Sequence, residues 1–112
     1  MKAIGFNRPL PVSNPEALLD IELPEPELRP HDILVAVQAV SVNPADVKVR
    51  AAHTPAAGQY RVLGYDAAGI VQAVGSEVRH FKVGDEVYYA GAINRQGSNA
   101  QLQAVDARIT AK

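Results

Sequence analysis

Side chains able to do chemistry are few in this chain and fall in two short segments, Asn43-Pro44-Ala45-Asp46 and Gly64-Tyr65-Asp66. On residue types alone the first is a helix start. Pro44 suits a first helical turn, Asn43 suits the cap before it, and Asp46 complements the positive end of the helix dipole. Tyr65 is a poor metal ligand at neutral pH, because a phenol ionises at about 10; it reads as a wall residue with an apolar body and a polar tip. Asp66 is expected to accept from Arg50 or a backbone N–H. The three histidines, His31, His53 and His80, show no H-x-x-x-H spacing and lie in polar or loop-like contexts. A zinc site needs three or four converging ligands, so they are expected to be solvated. There is no cysteine. That removes disulfides, a thiol nucleophile and thiolate metal sites.

The elements that must position these residues are short strands. Met1 to Phe6 alternates and predicts a first strand; Leu18 to Leu23 predicts a second. Between them Pro9, Pro11 and Pro15 mark a loop. Pro24, Pro26 and Pro30 make a stiff extended connector, since each fixes φ and removes a donor. Asp32 to Val42 is the strongest strand pattern, apolar on both faces, and is expected at the centre of a sheet. Pro44 to Ala52 predicts a short helix with Val47, Arg50 and Ala51 on one side. Thr54 to Gln59 reads as a loop. Strands follow over Ala67 to Val74, Val83 to Tyr89 and Ala100 to Val105. Gly69 in mid-strand suggests a bulge or a close backbone approach, while Gly75 and Gly84 suggest turns. Gly91 to Asn99 reads as a loop and Asp106 to Ile109 as a further extended turn. Many short strands punctuated by Gly and Pro indicate a mainly β fold of barrel type, with one or two short helices.

Composition narrows the function classes. A chain of 112 residues, 47% hydrophobic, fits one domain with a core of Val, Ile, Leu and Ala. Eleven basic and twelve acidic side chains give a net charge of −1. That balance supplies no electrostatic footprint for nucleic acid or an anionic membrane. No apolar run is long enough to span a bilayer and no secretory signal opens the chain, so a cytoplasmic location is expected.

The run Val62-Leu63-Gly64-Tyr65-Asp66-Ala67-Ala68-Gly69-Ile70-Val71 is followed by Val74-Gly75-Ser76-Glu77-Val78 and by Phe81-Lys82-Val83-Gly84-Asp85-Glu86-Val87. Together with Val42-Asn43-Pro44-Ala45-Asp46, these segments resemble the amino-terminal domain of the medium-chain dehydrogenase/reductase superfamily. That superfamily holds zinc alcohol dehydrogenases and zinc-free quinone oxidoreductases. Gly97-Ser98-Asn99-Ala100 adds a likeness to a bacterial subgroup called zinc-type alcohol dehydrogenase-like. The resemblance implies a GroES-like, partly open β-barrel over residues 1–112. It also implies a following Rossmann domain, for which this chain has no Gly-rich phosphate loop.

What the resemblance implies about function is specific. Zinc members carry a cysteine where this chain has Asn43 and a histidine where it has Tyr65, so no zinc is expected. The matching Asn and Asp of quinone oxidoreductase-like members make Asn43 and Asp46 candidates to line the cleft. The Asn43 amide would hold a substrate carbonyl or the nicotinamide ribose. Tyr65 would fill the vacated metal space and offer its hydroxyl to a carbonyl oxygen; Asn43 and Tyr65 are thus the candidate catalytic and substrate-binding pair. Lys48 stands where such reductases often have a tyrosine. The expected parent is a homodimeric, NADPH-dependent, zinc-independent reductase of a small-molecule quinone, carbonyl or enone, and this chain alone is expected to be inactive. Two other readings stay open: a domain of a zinc-dependent alcohol dehydrogenase, and a freestanding GroES-like binding module.

Overall fold

The computed structural model describes all residues 1–112. The strands are β1 (Lys2–Phe6), β2 (Leu19–Glu22), β3 (Asp32–Ser41), β4 (Arg61–Val62), β5 (Asp66–Val74), β6 (Glu86–Tyr89), β7 (Leu102–Asp106) and β8 (Thr110–Ala111). One helix, α1 (Pro44–Ala52), falls between β3 and β4, and a 3-10 turn, Ala107–Ile109, precedes β8. The strands form two antiparallel sheets, ordered β2-β1-β4 and β7-β3-β5-β6-β8. They are stitched together where Ile4 N–H donates to Asn99 O and Gln101 N–H to Lys2 O. The result is a partly open β-barrel.

As expected, β3 lies inside its sheet, between β7 and β5. Only its first half is enclosed: Asp32 to Val35 are buried, while Gln38 to Ser41 are exposed. Ile33, Val35, Ala67, Val71, Val87, Tyr89 and Val105 form the core cluster. They come from four strands, β3, β5, β6 and β7, because residues of one parity on each strand share a face. At Gly69 an added Cβ would lie 2.2 Å from the Ala36 carbonyl oxygen. The β3–β5 register shifts beside it, between Val37 and Ala39. The close approach and the bulge therefore occur together, with the surplus residue on β3.

Three local expectations differ from the structure. Val47 and Ala51 face solvent, and α1 packs through Asp46, with Ala45, Val49 and Arg50 half-buried. The helix is held by a carboxylate more than by an apolar stripe. Two short strands, β4 and β8, escape any period-based reading because two residues carry no alternation. The segment after β7 is a 3-10 turn leading into β8, which pairs with β6.

Candidate functional site

Asp46 organises the region. It is 6% exposed, and each carboxylate oxygen accepts a backbone N–H: Asn43 at 2.8 Å and Gly64 at 2.8 Å. Gly64 adopts φ +101°, a left-handed conformation that suits glycine, and an added Cβ would meet Ser98 Oγ at 2.3 Å. One buried carboxylate thus locks the start of α1 to the approach to β5.

The Asn43 backbone is extended at the helix cap, and Asn43 and Asp46 form a capping box: the Asn43 side chain lies toward the Asp46 N–H, and the Asp46 carboxylate accepts the Asn43 N–H. Its amide nitrogen donates to Asp66 Oδ2 at 2.5 Å and, with longer contacts, to the Ser41 carbonyl and hydroxyl. Because a carboxylate only accepts, the nitrogen must face Asp66, and this fixes the orientation of the amide. The Asn43 side-chain oxygen faces the Asp46 N–H, which donates to the Asn43 backbone carbonyl at 3.0 Å, and it takes no other donor within the domain. Asp66 therefore takes its hydrogen bond from Asn43 and not from Arg50, whose guanidinium donates to the Leu10 carbonyl.

Both Ser41 and Asp66 border an apolar cleft of about 560 Å³. Its walls include Val40, Ala68, Tyr88 and Ile109. Val40, Tyr88 and Ile109 are large apolar residues left 45–59% exposed. Asn43 therefore reaches the polar edge of an otherwise apolar surface. Tyr89, on the same strand as Tyr88, is buried and donates to Gln103 Oε1 at 2.7 Å. Burial pushes its phenol pKa far above the usual value, so it remains a donor.

Tyr65 is buried, at 7% exposure, and its hydroxyl accepts from Arg61 Nη2 at 3.1 Å. Arg61 also donates to the Ile93 carbonyl. No acceptor within the domain takes the Tyr65 hydroxyl's own proton. Along β5 the buried residues are Ala67, Gly69 and Val71, and Asp66, Ala68 and Ile70 are half-exposed. Tyr65 shares the exposure pattern of the first set and Asp66 belongs to the second. Of the candidates, the structure brings Asn43, Asp46 and Asp66 together. No hydrogen bond joins Asn43 to Tyr65, and the Tyr65 hydroxyl bonds to a residue that borders a second cleft, with Lys48 and His53. Neither Ser41 nor Arg61 stands out by sequence reasoning. The one signal for Arg61 is a single cation inside the run Tyr60-Arg61-Val62-Leu63.

Residues 29–109 match the alcohol dehydrogenase GroES-like domain family. The chain belongs to that family. It is the GroES-like domain of the medium-chain dehydrogenase/reductase superfamily. A zinc-type alcohol dehydrogenase-like protein of Staphylococcus aureus (strain COL) is 46% identical over 112 residues, all of this chain and 33% of the relative. A crystal structure from Rhizobium etli CFN 42, provisionally named as a zinc-dependent alcohol dehydrogenase, superposes with a TM-score of 0.95 at 55% identity. It is matched over all of this chain and 32% of its own. The Escherichia coli quinone oxidoreductase, determined with NADPH, gives a TM-score of 0.80 at 28% identity, over 99% of this chain and 32% of its own. The GroES-like domain thus spans about a third of the relatives it matches.

The donor set of this GroES-like domain does not fit zinc. No three His, Cys, Asp or Glu side chains converge anywhere in it. Of the residues at the family's ligand positions, Asn43 has its amide nitrogen engaged and Tyr65 offers a phenol. No helix is long and apolar enough to cross a membrane.

Proposed function

We propose that the chain is the substrate-side domain of a longer, zinc-independent, NADPH-dependent oxidoreductase that reduces quinones or activated carbonyl and enone compounds. The observation that carries this reading is the Asn43–Asp66 pair at the polar edge of an apolar cleft; the resemblance puts a zinc ligand of metal-binding members at the position of Asn43. NADPH, held by a domain beyond this chain, would supply the hydride.

The roles of this chain's residues follow from what each atom has left to give. The apolar cleft takes a ring and excludes water. The Asn43 side-chain oxygen keeps acceptor capacity beside it and suits a hydroxyl of the cofactor's ribose or of the substrate. Tyr65 keeps an uncommitted proton, and the Arg61 N–H on its oxygen makes that proton a better donor. A donor of this kind stabilises a developing oxyanion where no metal does so. Asp46 has both oxygens occupied and serves by positioning Asn43 and Gly64. A homodimeric parent acting in the cytoplasm belongs to the same proposal.

The names of the Staphylococcus and Rhizobium relatives favour a second reading, zinc-dependent alcohol oxidation. Elemental analysis of the parent protein after dialysis against a weak chelator separates the two. Activity with NADPH and a quinone, without stoichiometric zinc, is the expected result. Bound zinc whose removal abolishes alcohol oxidation would establish the second reading instead.

A further inference from the structure

Arg61, whose guanidinium donates to the Tyr65 hydroxyl, also borders a cleft of about 370 Å³ lined by Lys48, Val49, Ala52, His53, Arg61 and Ile93. Two of these are permanent cations, a third is a histidine, and none is acidic. Neither Lys48, His53 nor Arg61 forms a salt bridge; the seven ion pairs of the domain all lie elsewhere.

Helix geometry explains part of this. Lys48 is on α1 and His53 is its C-cap, where positive charge complements the helix dipole. It does not explain Arg61, which comes from β4. That guanidinium is half-buried and bonded only to neutral oxygens, those of Tyr65 and Ile93. Its Nε is fully buried and has no partner. A half-buried arginine without a carboxylate is costly to keep unless an anion pairs with its accessible terminal nitrogens. A guanidinium fork matches a carboxylate or phosphate, and a nearby lysine adds a second charge.

From these observations we infer that the Lys48–His53–Arg61 cleft binds an oxyanion group, carboxylate or phosphate, on the substrate. This rests on the proposed reductase reading and deepens it: the substrate is an anionic quinone or enone. Its carbonyl lies toward Tyr65 and its acidic group toward Arg61. Arg61 then has two duties, holding the anion and polarising the Tyr65 hydroxyl.

Two measurements test this. In the first, the 112-residue chain is titrated with benzoate, inorganic phosphate and neutral benzamide, and binding is followed by NMR. Saturable shifts at Lys48, His53, Arg61 and Ile93 are expected with the two anions and not with benzamide. The Lys48→Ala/His53→Ala double variant changes side chains on the surface, so folding is preserved; anion binding should weaken roughly tenfold. In the second, the parent protein is given a matched pair of enones differing only in a carboxylate. The acid should have kcat/KM roughly tenfold or more above the neutral analogue, and the double variant should erase most of that preference. Anion binding by the chain with no reduction of either enone would sink the reductase reading and leave the cleft standing. Reduction of both enones equally well, with no anion shifts at the cleft, would overturn the cleft and leave the reductase. Shifts that persist unweakened in the double variant would also overturn it.

Discussion

Asp46 and Gly64 lie 18 positions apart and are joined by a 2.8 Å hydrogen bond from the Gly64 N–H to the Asp46 carboxylate. The second oxygen of that carboxylate accepts the Asn43 N–H. Removing Asp46 therefore orphans two N–H groups at once. Asp46→Ala is expected to lower stability by about 3 kcal/mol in urea unfolding, because hydrogen bonds to a buried charge are among the stronger ones. Asp46→Asn keeps one acceptor but turns a donor toward the other N–H, so it should also destabilise. A fully stable alanine variant would show that the clasp contributes nothing.

The bulge at Gly69 gives a second stability prediction. A Cβ there would lie 2.2 Å from the Ala36 carbonyl oxygen and 2.6 Å from Val35 Cγ1. The oxygen belongs to a strand paired on both sides and cannot step aside. Gly69→Ala should cost about 2–3 kcal/mol through overpacking, visible as a lower Tm. An unchanged Tm would mean that β3 and β5 can separate at little cost.

Acid sensitivity should centre on Asp32 and Arg95. Asp32 is 1% exposed and bridged by both Arg95 Nη atoms, at 2.8 and 2.7 Å. Burial raises its pKa, but the hydrogen bonds from Arg95 and the Arg29 N–H more than offset this, and the net shift is downward. Asp85 and Asp106 are each lowered to about 2, chiefly by side-chain hydrogen bonds from Lys82 and Arg108. A folded pKa below the unfolded one contributes stability above the unfolded value. That stability is lost as pH falls through the folded value. Stability should thus decline between roughly pH 4 and 2. Arg95→Leu should cost about 3–5 kcal/mol at neutral pH by leaving the Asp32 charge buried and unpaired. The gap from the parent chain should narrow on acidification, since protonated Asp32 no longer needs a cation. A gap independent of pH would show that Arg95 acts by packing alone.

These pairings also show what the sequence could not give. The run from Asp32 to Val42 predicts a central strand because its alternation is long, and the Asn43-Pro44 step fixes the helix start. Gly69 marks the close approach because a glycine inside a strand needs a reason. The Asn43–Asp66, Asp46–Gly64 and Asp32–Arg95 bonds span 23, 18 and 63 positions. No local period encodes such contacts. Local logic assigns the Asn43 side chain to capping, and its amide nitrogen also meets a carboxylate on a neighbouring strand, which no local rule foretells. The same holds for Arg61, whose significance lies in the carboxylate it lacks.

The isolated chain should fold but neither reduce quinones nor bind NADPH tightly. Its core clusters within one barrel, and it carries no Gly-rich loop opening a helix to cradle a pyrophosphate. Calorimetric titration with NADPH checks this. Micromolar affinity, or turnover by the chain alone, would move the cofactor site into the GroES-like domain and overturn the division of roles.

Asn43 offers the sharpest test of the proposed site. Its side-chain oxygen shares the helix cap with the Asp46 carboxylate and the Asn43 backbone carbonyl. Asn43→Ala should therefore cost no more than a lost cap, about 1 kcal/mol, while freeing Asp66 and removing the acceptor at the cleft edge. In the parent protein kcat/KM should fall roughly 10- to 100-fold, about 1.4–2.7 kcal/mol of transition-state stabilisation. Asn43→Asp would place two carboxylates together and should be worse, because they cannot share the site without a proton. Tyr65→Phe should lower kcat more than it raises KM if the hydroxyl donates to the oxyanion, and it should leave unfolding nearly unchanged. If Asn43→Ala leaves the kinetics intact and lowers the Tm instead, the Asn43–Asp66 bond is a strut between α1 and β5, and the catalytic assignment fails.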